Sequence, residues 1–168
     1  PFAPVDGEPP LWEFATPLDT VVRVVNKESQ NLMAEHLLKT LGRTRTGEGS
    51  FEAGARVLGR WLEDHEIPVE GIVVRDGSGL SASNRLSARA VALILTLAWR
   101  APWAATFLDS LPLAGVDGSL KDRPAVDPAL GAVRAKTGWI RGASALSGFL
   151  LAGERSFCFA ILVDYPPA

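Results

Sequence analysis

Apolar residues recur every three or four positions through most of the first hundred residues, which is typical of amphipathic or buried helices. The helical segments run over about 16–25, 32–41, 51–67 and 87–101. Ser50 and Ser87 are the expected N-caps of the third and fourth helices, and Gly42 is the expected end of the second. The apolar run 71–74 predicts a short strand before the glycine-rich turn that follows it.

The last third of the chain changes period. Three apolar runs, separated by short glycine-containing breaks, predict an antiparallel meander over about 131–138, 144–153 and 156–165. Helices followed by strands predict an α+β fold in which helices pack on an antiparallel sheet. Three strands are a thin sheet for several helices, so we expect the sheet to be small or to be completed by strands outside this sequence.

The proline content divides the chain into two parts. Four prolines among the first ten residues predict that residues 1–15 are a linker or edge segment arriving from an upstream part. The regular pattern that starts near Thr16 predicts that residues 16–168 form one folded unit.

Composition narrows the classes of function. The 168 residues are 47% hydrophobic and 21% charged, with a net charge of -2. The sequence contains no basic stripe, so we predict no nucleic-acid partner. The longest apolar run, residues 90–99, is too short for a spanning helix. The single cysteine, Cys158, excludes an internal disulfide, and its apolar neighbours predict a buried thiol. No metal-ligand spacing joins His36 and His65, which we expect on exposed helix surface, so no metal or other cofactor is predicted.

Lys136, Thr137 and Gly138 stand in that order at the expected end of a strand. A lysine supplies a fixed positive charge, a threonine a hydroxyl donor, and a glycine lets a ligand approach the backbone closely. The triplet suits a carboxylate-bearing peptide that lies along a sheet edge. The alternative is an ordinary strand end before a glycine turn.

Ser29, Gln30 and Asn31 fill a polar gap between the first two helices. Serine and asparagine in such a gap are most often helix caps. The functional interpretation is a hydroxyl that relays a proton and an amide that holds a substrate carbonyl.

The order of these elements is more specific than either triplet. Ser-Gln-Asn on an interhelical loop, Asp-Gly-Ser-Gly-Leu-Ser at 76–81, Leu-Pro-Leu-Ala-Gly-Val-Asp-Gly-Ser-Leu at 111–120 and Lys-Thr-Gly in a strand meander occur in that sequence. This arrangement resembles the class C low-molecular-mass penicillin-binding proteins, which are D-alanyl-D-alanine carboxypeptidase/endopeptidases. The resemblance extends from about Thr16 to Val163 and implies a β-lactamase/transpeptidase-like fold that is incomplete in this chain.

The same resemblance implies an element that the chain lacks. The family acylates the serine of a Ser-x-x-Lys element, and here no serine or threonine has a lysine three residues later. In the family, extra domains are inserted between Ser-x-x-Lys and Ser-x-Asn. Residues 16–168 therefore resemble the C-terminal part of a penicillin-binding domain, which needs the missing N-terminal portion of the same protein and is inactive alone.

The resemblance also implies roles for individual residues. Ser29 would carry a proton between the lysine base of the missing element and the departing D-alanine nitrogen. Asn31 would hydrogen-bond the substrate carbonyl or that lysine, and Lys136 would supply positive potential.

Three further positions would bind substrate. Thr137 would donate to the terminal carboxylate, Gly138 would let the substrate backbone lie close, and the N–H of Trp139 would form half of an oxyanion hole. The family usually has a small hydroxyl residue where this chain has Trp139, so the indole narrows the rim, stacks on a substrate side chain or turns outward.

Together these implications describe a serine-type hydrolase of peptidoglycan stem peptides. It would release D-alanine through an acyl-enzyme, be acylated by β-lactam antibiotics and act in the periplasm or elsewhere outside the cytoplasmic membrane. The alternative class is a non-catalytic peptidoglycan-binding or scaffolding domain on the same fold. An esterase or a β-lactamase is disfavoured by the blocks at 76–81 and 111–120.

Overall fold

Helices precede strands throughout the described part of the protein. The computed structural model describes residue 12 and residues 14–123 and 130–166. The helices are α1 (Leu18–Glu28), α2 (Asn31–Thr46), α3 (Phe51–Asp64), α4 (Ala88–Arg100) and α5 (Ala104–Ser110), and the strands are β1 (Val133–Ile140), β2 (Ala143–Ala152) and β3 (Arg155–Asp164). The fold is α+β, as predicted. Most of the expected linker, residues 1–15, lies outside the described residues.

The starts of two helices are set by local capping. Ser50 accepts the N–H of Ala53 at the start of α3, and Ser87 accepts the N–H of Ala90 at the start of α4, as predicted.

The predicted end of α2 is wrong. The helix runs through Gly42 to Thr46, and the residue that caps it, Gly47, has a left-handed φ of 82°. Gly42 serves helix packing instead, because a Cβ there would lie 2.7 Å from the backbone nitrogen of Gly54 on α3. The two glycines therefore let α2 and α3 approach each other closely.

The three strands form an antiparallel sheet in the order β1-β2-β3. Both connections are two-residue turns, and each contains a glycine with positive φ, Gly142 at 90° and Gly153 at 61°. The strand expected at 71–74 is not formed. An isolated bridge joins Val73 to Arg85, and no further strand pairing of this segment occurs within the described residues.

Both faces of the sheet carry part of the core. Phe149 of β2, which is 1% exposed, packs with Leu95 of α4 and with Leu111. Its neighbour in the β1–β2 register is Arg134, so Ala135 of β1 points to the other face, where it packs with Leu120. The segment after α5 therefore crosses to the face opposite α4, and this path brings it beside β1.

β3 is paired on one side only within the described residues. Large apolar side chains on it are exposed: Phe157, Ile161, Leu162 and Val163. Cys158 is exposed as well, so its predicted burial is wrong in this chain. Of the helices in the described ranges, none has the length and apolar character needed to cross a membrane.

Candidate active site

A groove of about 950 Å³ opens between the helices and the sheet. Its walls come from the junction of α1 and α2, from the segment 77–86, from β1 and from the last residues of β3. All the predicted site residues line it: Ser29, Asn31, Lys136, Thr137, Gly138 and Trp139. The fold thus brings the two triplets together although about a hundred residues separate them.

One hydrogen bond crosses the groove and connects β1 with the end of α1. The Nζ of Lys136 donates to the Oγ of Ser29 at 2.8 Å. Ser29 ends α1 in a left-handed conformation with φ 54° and ψ 47°. Such a conformation costs a residue with a Cβ about 1–2 kcal/mol, so packing and hydrogen bonding around the helix end must hold it.

Lys136 lies inside a strand, not at its end. It is the fourth residue of the eight in β1 and pairs with Ser147, so the predicted strand-end position is wrong. Gly138 stays paired with Ala145, and the strand continues to Ile140. The chain reverses at residues 141 and 142. The ammonium also donates to the carbonyl of Thr137 at 2.8 Å, and burial lowers the pKa of Lys136 below that of a free lysine.

Thr137 contacts a residue that the sequence does not single out. Its Oγ1 donates to the Oγ of Ser119 at 2.8 Å. Ser119 belongs to the 3-10 turn Gly118–Leu120, which lies within the block 111–120. That block helps to carry the family resemblance, and membership of the block is the signal that the sequence offers for Ser119.

The loop that carries Ser119 is fastened to α1 by an ion pair. The Nζ of Lys27 donates to both carboxylate oxygens of Asp117, at 2.6 and 2.7 Å, and Asp117 also accepts the N–H of Leu113 at 2.8 Å. Burial raises the pKa of Asp117, but the hydrogen bonds from Lys27 and Leu113 and the charge of Lys27 outweigh it and hold the pKa below its usual value. Lys27 lies two residues before Ser29, so one helix end positions both the loop and the serine.

The segment 76–86 forms a second wall of the groove and is held by hydrogen bonds to two carboxylates. Asp76 accepts the N–H of Ser81 at 2.6 Å, and Glu35 of α2 accepts both the N–H of Gly77 and the hydroxyl of Ser78, at 2.7 and 2.6 Å. A Cβ on Gly77 would lie 2.3 Å from the carbonyl oxygen of Ala34, so glycine is required for this approach to α2. Ser78 and Ser81 therefore belong to the glycine-rich turn that the sequence predicts after residue 74.

The remaining predicted residues occupy the floor and the rim. Asn31 is the first residue of α2, and Gly138 would place a Cβ 3.3 Å from that of Ala145. Trp139 is 74% exposed at the rim, and the exposed Leu80 lines the same groove. The groove thus combines a hydrogen-bonding centre with an apolar margin.

Titratable side chains elsewhere form no metal centre in the part of the chain that the structure describes, since no three His, Cys, Asp or Glu residues are grouped to hold an ion. His36 and His65 are exposed, as predicted, and His65 packs its ring on Trp61.

Comparisons with known proteins identify the family of the chain. A family model described as the D-Ala-D-Ala carboxypeptidase 3 (S13) family matches residues 3–166. The D-alanyl-D-alanine carboxypeptidase of Actinomadura sp. (strain R39) is 40% identical over 141 residues, covering 81% of this chain and 26% of that protein. Carboxypeptidase DacB of Mycolicibacterium smegmatis is 32% identical over 142 residues, covering 81% of this chain and 31% of that protein.

A solved structure shares the fold. Penicillin binding protein 4 (dacB) from Haemophilus influenzae, complexed with a β-lactam, has a TM-score of 0.82 and 25% identity, covering 88% of this chain and 35% of that one. The chain therefore spans about a quarter to a third of the length of these relatives. Because the family model matches almost all of its residues, the chain belongs to the D-Ala-D-Ala carboxypeptidase 3 (S13) family of peptidases.

Proposed function

We propose that the protein is a serine-type D-Ala-D-Ala carboxypeptidase that hydrolyses peptidoglycan stem peptides through an acyl-enzyme and is acylated by β-lactams. The observation that carries the proposal is the Lys136–Ser29 hydrogen bond within the groove. A lysine ammonium beside a serine hydroxyl provides both positive potential and a route for a proton, which acyl transfer to and from an amide requires. The names of the relatives support the substrate class.

The nucleophile must come from outside these residues in this proposal, because the chain has no Ser-x-x-Lys. We assign residues 16–168 to the C-terminal part of a penicillin-binding domain and the nucleophile to an N-terminal portion of the same protein. The relatives are about three times as long as the chain. Within the described residues, one edge of β3 is unpaired and carries exposed apolar side chains, which a further segment could cover. The chain alone is then inactive.

Ser29, Asn31 and Lys136 are assigned to the reacting groups. The Ser29 hydroxyl passes a proton to the departing D-alanine nitrogen, and Lys136 keeps that hydroxyl oriented by donating to it at 2.8 Å. Asn31 lies on the same groove wall, where its amide holds the substrate carbonyl or the lysine of the Ser-x-x-Lys element.

Thr137, Gly138 and Trp139 are assigned to substrate binding along β1. Thr137 donates to the terminal carboxylate, and Gly138 leaves the backbone open to a peptide beside the strand. The Trp139 N–H donates to the oxyanion, where loss of one donor commonly costs about 3 kcal/mol of transition-state stabilisation. The Trp139 side chain stands at the rim and contacts the substrate beyond the scissile bond.

Labelling of the intact protein with a fluorescent penicillin tests the proposal. The wild type should become covalently labelled and should release D-alanine from an acyl-D-Ala-D-Ala peptide. Lys136→Ala and Ser29→Ala should each slow acylation at least a hundredfold, because each removes one partner of the central hydrogen bond. Lys39→Ala and Ser156→Ala are matched controls outside the groove lining and should label like the wild type.

Two results would contradict the proposal. An intact protein that binds peptidoglycan but is never labelled would favour the non-catalytic binding or scaffolding alternative. Near-normal labelling of the Lys136 and Ser29 variants would remove both residues from the site. We expect the protein to act outside the cytoplasmic membrane, where its peptidoglycan substrate lies, and fractionation of cells expressing the intact protein checks this.

A further inference from the structure

The hydroxyl of Thr137 is engaged in a hydrogen bond before any substrate is present. Its Oγ1 donates to the Oγ of Ser119 at 2.8 Å. A hydroxyl has one proton, so Thr137 cannot donate to a carboxylate while it donates to Ser119. We propose that Ser119 is a positioning residue for carboxylate recognition, which accepts from Thr137 in the free protein and donates to it when substrate binds. The inference deepens the proposed function of the groove and rests on it.

The exchange needs only a rotation of two hydroxyls. When an anion enters, the proton of Thr137 turns toward it. A lone pair of the Thr137 oxygen then faces Ser119 and accepts a hydrogen bond from the Ser119 hydroxyl. The resulting chain runs from Ser119 to Thr137 to the carboxylate. Each bond in such a chain polarises the next, so the Thr137 donor becomes stronger than an isolated hydroxyl. No proton leaves its oxygen, and no other group is required.

Ser119 is exposed but rigidly placed. Its neighbour Leu120 is buried against Ala135. On its other side, Gly118 has a φ of 57°, and a Cβ there would lie 2.9 Å from the carbonyl oxygen of Lys27. The Lys27–Asp117 ion pair fixes the residue before Gly118. Both flanks of Ser119 are therefore anchored, so its hydroxyl stays within hydrogen-bond distance of Thr137.

The presence of Trp139 makes the hydrogen bond between Ser119 and Thr137 more important. Trp139, two positions after Thr137 and on the same face of β1, has no hydroxyl to offer a carboxylate. The carboxylate in the proposed mode therefore depends on the ammonium of Lys136 and on one threonine hydroxyl. A threonine that supplies the one hydroxyl donor to the carboxylate gains most from a partner that orients it.

The test compares two substrates in the intact protein, an acyl-D-Ala-D-Ala peptide with a free terminal carboxylate and the same peptide with a terminal amide. Ser119→Val and Ser119→Thr are a matched pair, because the two side chains have the same shape and differ in the hydroxyl. The valine variant should lose about tenfold in kcat/KM for the carboxylate peptide, mostly through KM, and less than threefold for the amide. The threonine variant should keep the wild-type ratio between the two substrates.

The outcomes separate the inference from the function on which it rests. A wild type that penicillin does not acylate overturns the proposed function and this inference together. An acylated wild type whose valine and threonine variants discriminate the two peptides equally overturns the inference alone, as does equal loss on both peptides, which a purely structural role would produce.

Discussion

Lys27 and Asp117 should be strongly coupled in stability, and the loss should be larger when Asp117 is replaced than when Lys27 is replaced. The side chain of Lys27 is 9% exposed, whereas the side chain of Asp117 is 41% exposed. Removing one partner of a buried pair costs about 3–5 kcal/mol, because a charge is left without compensation away from water. Asp117→Asn strands the more deeply buried charge and should cost about 3 kcal/mol. Lys27→Met keeps the apolar stem and leaves a carboxylate that water reaches, so it should cost about 1.5 kcal/mol, below the usual range for a buried pair.

The double variant gives the magnitude of the coupling. Methionine and asparagine together leave no unpaired charge, and asparagine still accepts the N–H of Leu113. We expect the double variant to lose about 2 kcal/mol, less than Asp117→Asn alone, with a coupling free energy near 2.5 kcal/mol. The assay is urea unfolding of the intact protein followed by tryptophan fluorescence, with differences taken from the midpoints at a common slope.

Two results would refute this reasoning. The first is a double variant whose loss equals the sum of the single losses, and the second is a Lys27→Met variant less stable than Asp117→Asn. The pH dependence is a further check. Because the pKa of Asp117 is lowered in the folded protein, its contribution is complete above the pKa of about 3.9 of an unfolded aspartate and is lost as the pH falls through the lowered value.

Two further predictions concern helix packing and the site lysine. In α3, Gly54→Ala should destabilise the intact protein by about 2–4 kcal/mol in urea unfolding, because its Cβ would lie 2.2 Å from the carbonyl oxygen of Leu38. Gly59→Ala in the same helix meets nothing within 4 Å and should stabilise by about 0.5–1 kcal/mol, and a loss there would contradict the packing argument. Acylation by penicillin should decline with rising pH around a midpoint below the value of about 10.4 of free lysine, because burial lowers the pKa of Lys136. Lys136→Arg should remove this decline, and an unchanged profile would show that another group titrates.

Local chemistry explains which elements could be predicted from sequence. Ser50 and Ser87 start their helices as expected because capping involves residues only three positions apart. Gly42 misleads because its role is set by Gly54, a residue on another helix, and not by its neighbours in sequence. The apolar run 71–74 has strand composition, but a strand forms only where a partner is available.

The site was predictable to the extent that short motifs identify it. The resemblance implied one groove for Ser29 and Lys136, and the structure places the Oγ of Ser29 2.8 Å from the Nζ of Lys136. The contact between Thr137 and Ser119 could not be read from spacing, because it depends on how the loop before β1 folds. The contacts of Asp117 with Lys27 and Leu113 were equally hidden, because they too depend on how this loop folds.

In the proposed mechanism, the left-handed backbone at Ser29 sets stability against activity at a single residue. Glycine adopts this conformation without steric penalty, so Ser29→Gly relieves local strain while it deletes the hydroxyl next to Lys136. Directed evolution for heat resistance alone could therefore select the loss of this hydroxyl. Thermostabilisation of this protein should hold Ser29 fixed and seek its gains elsewhere, for example at Gly59.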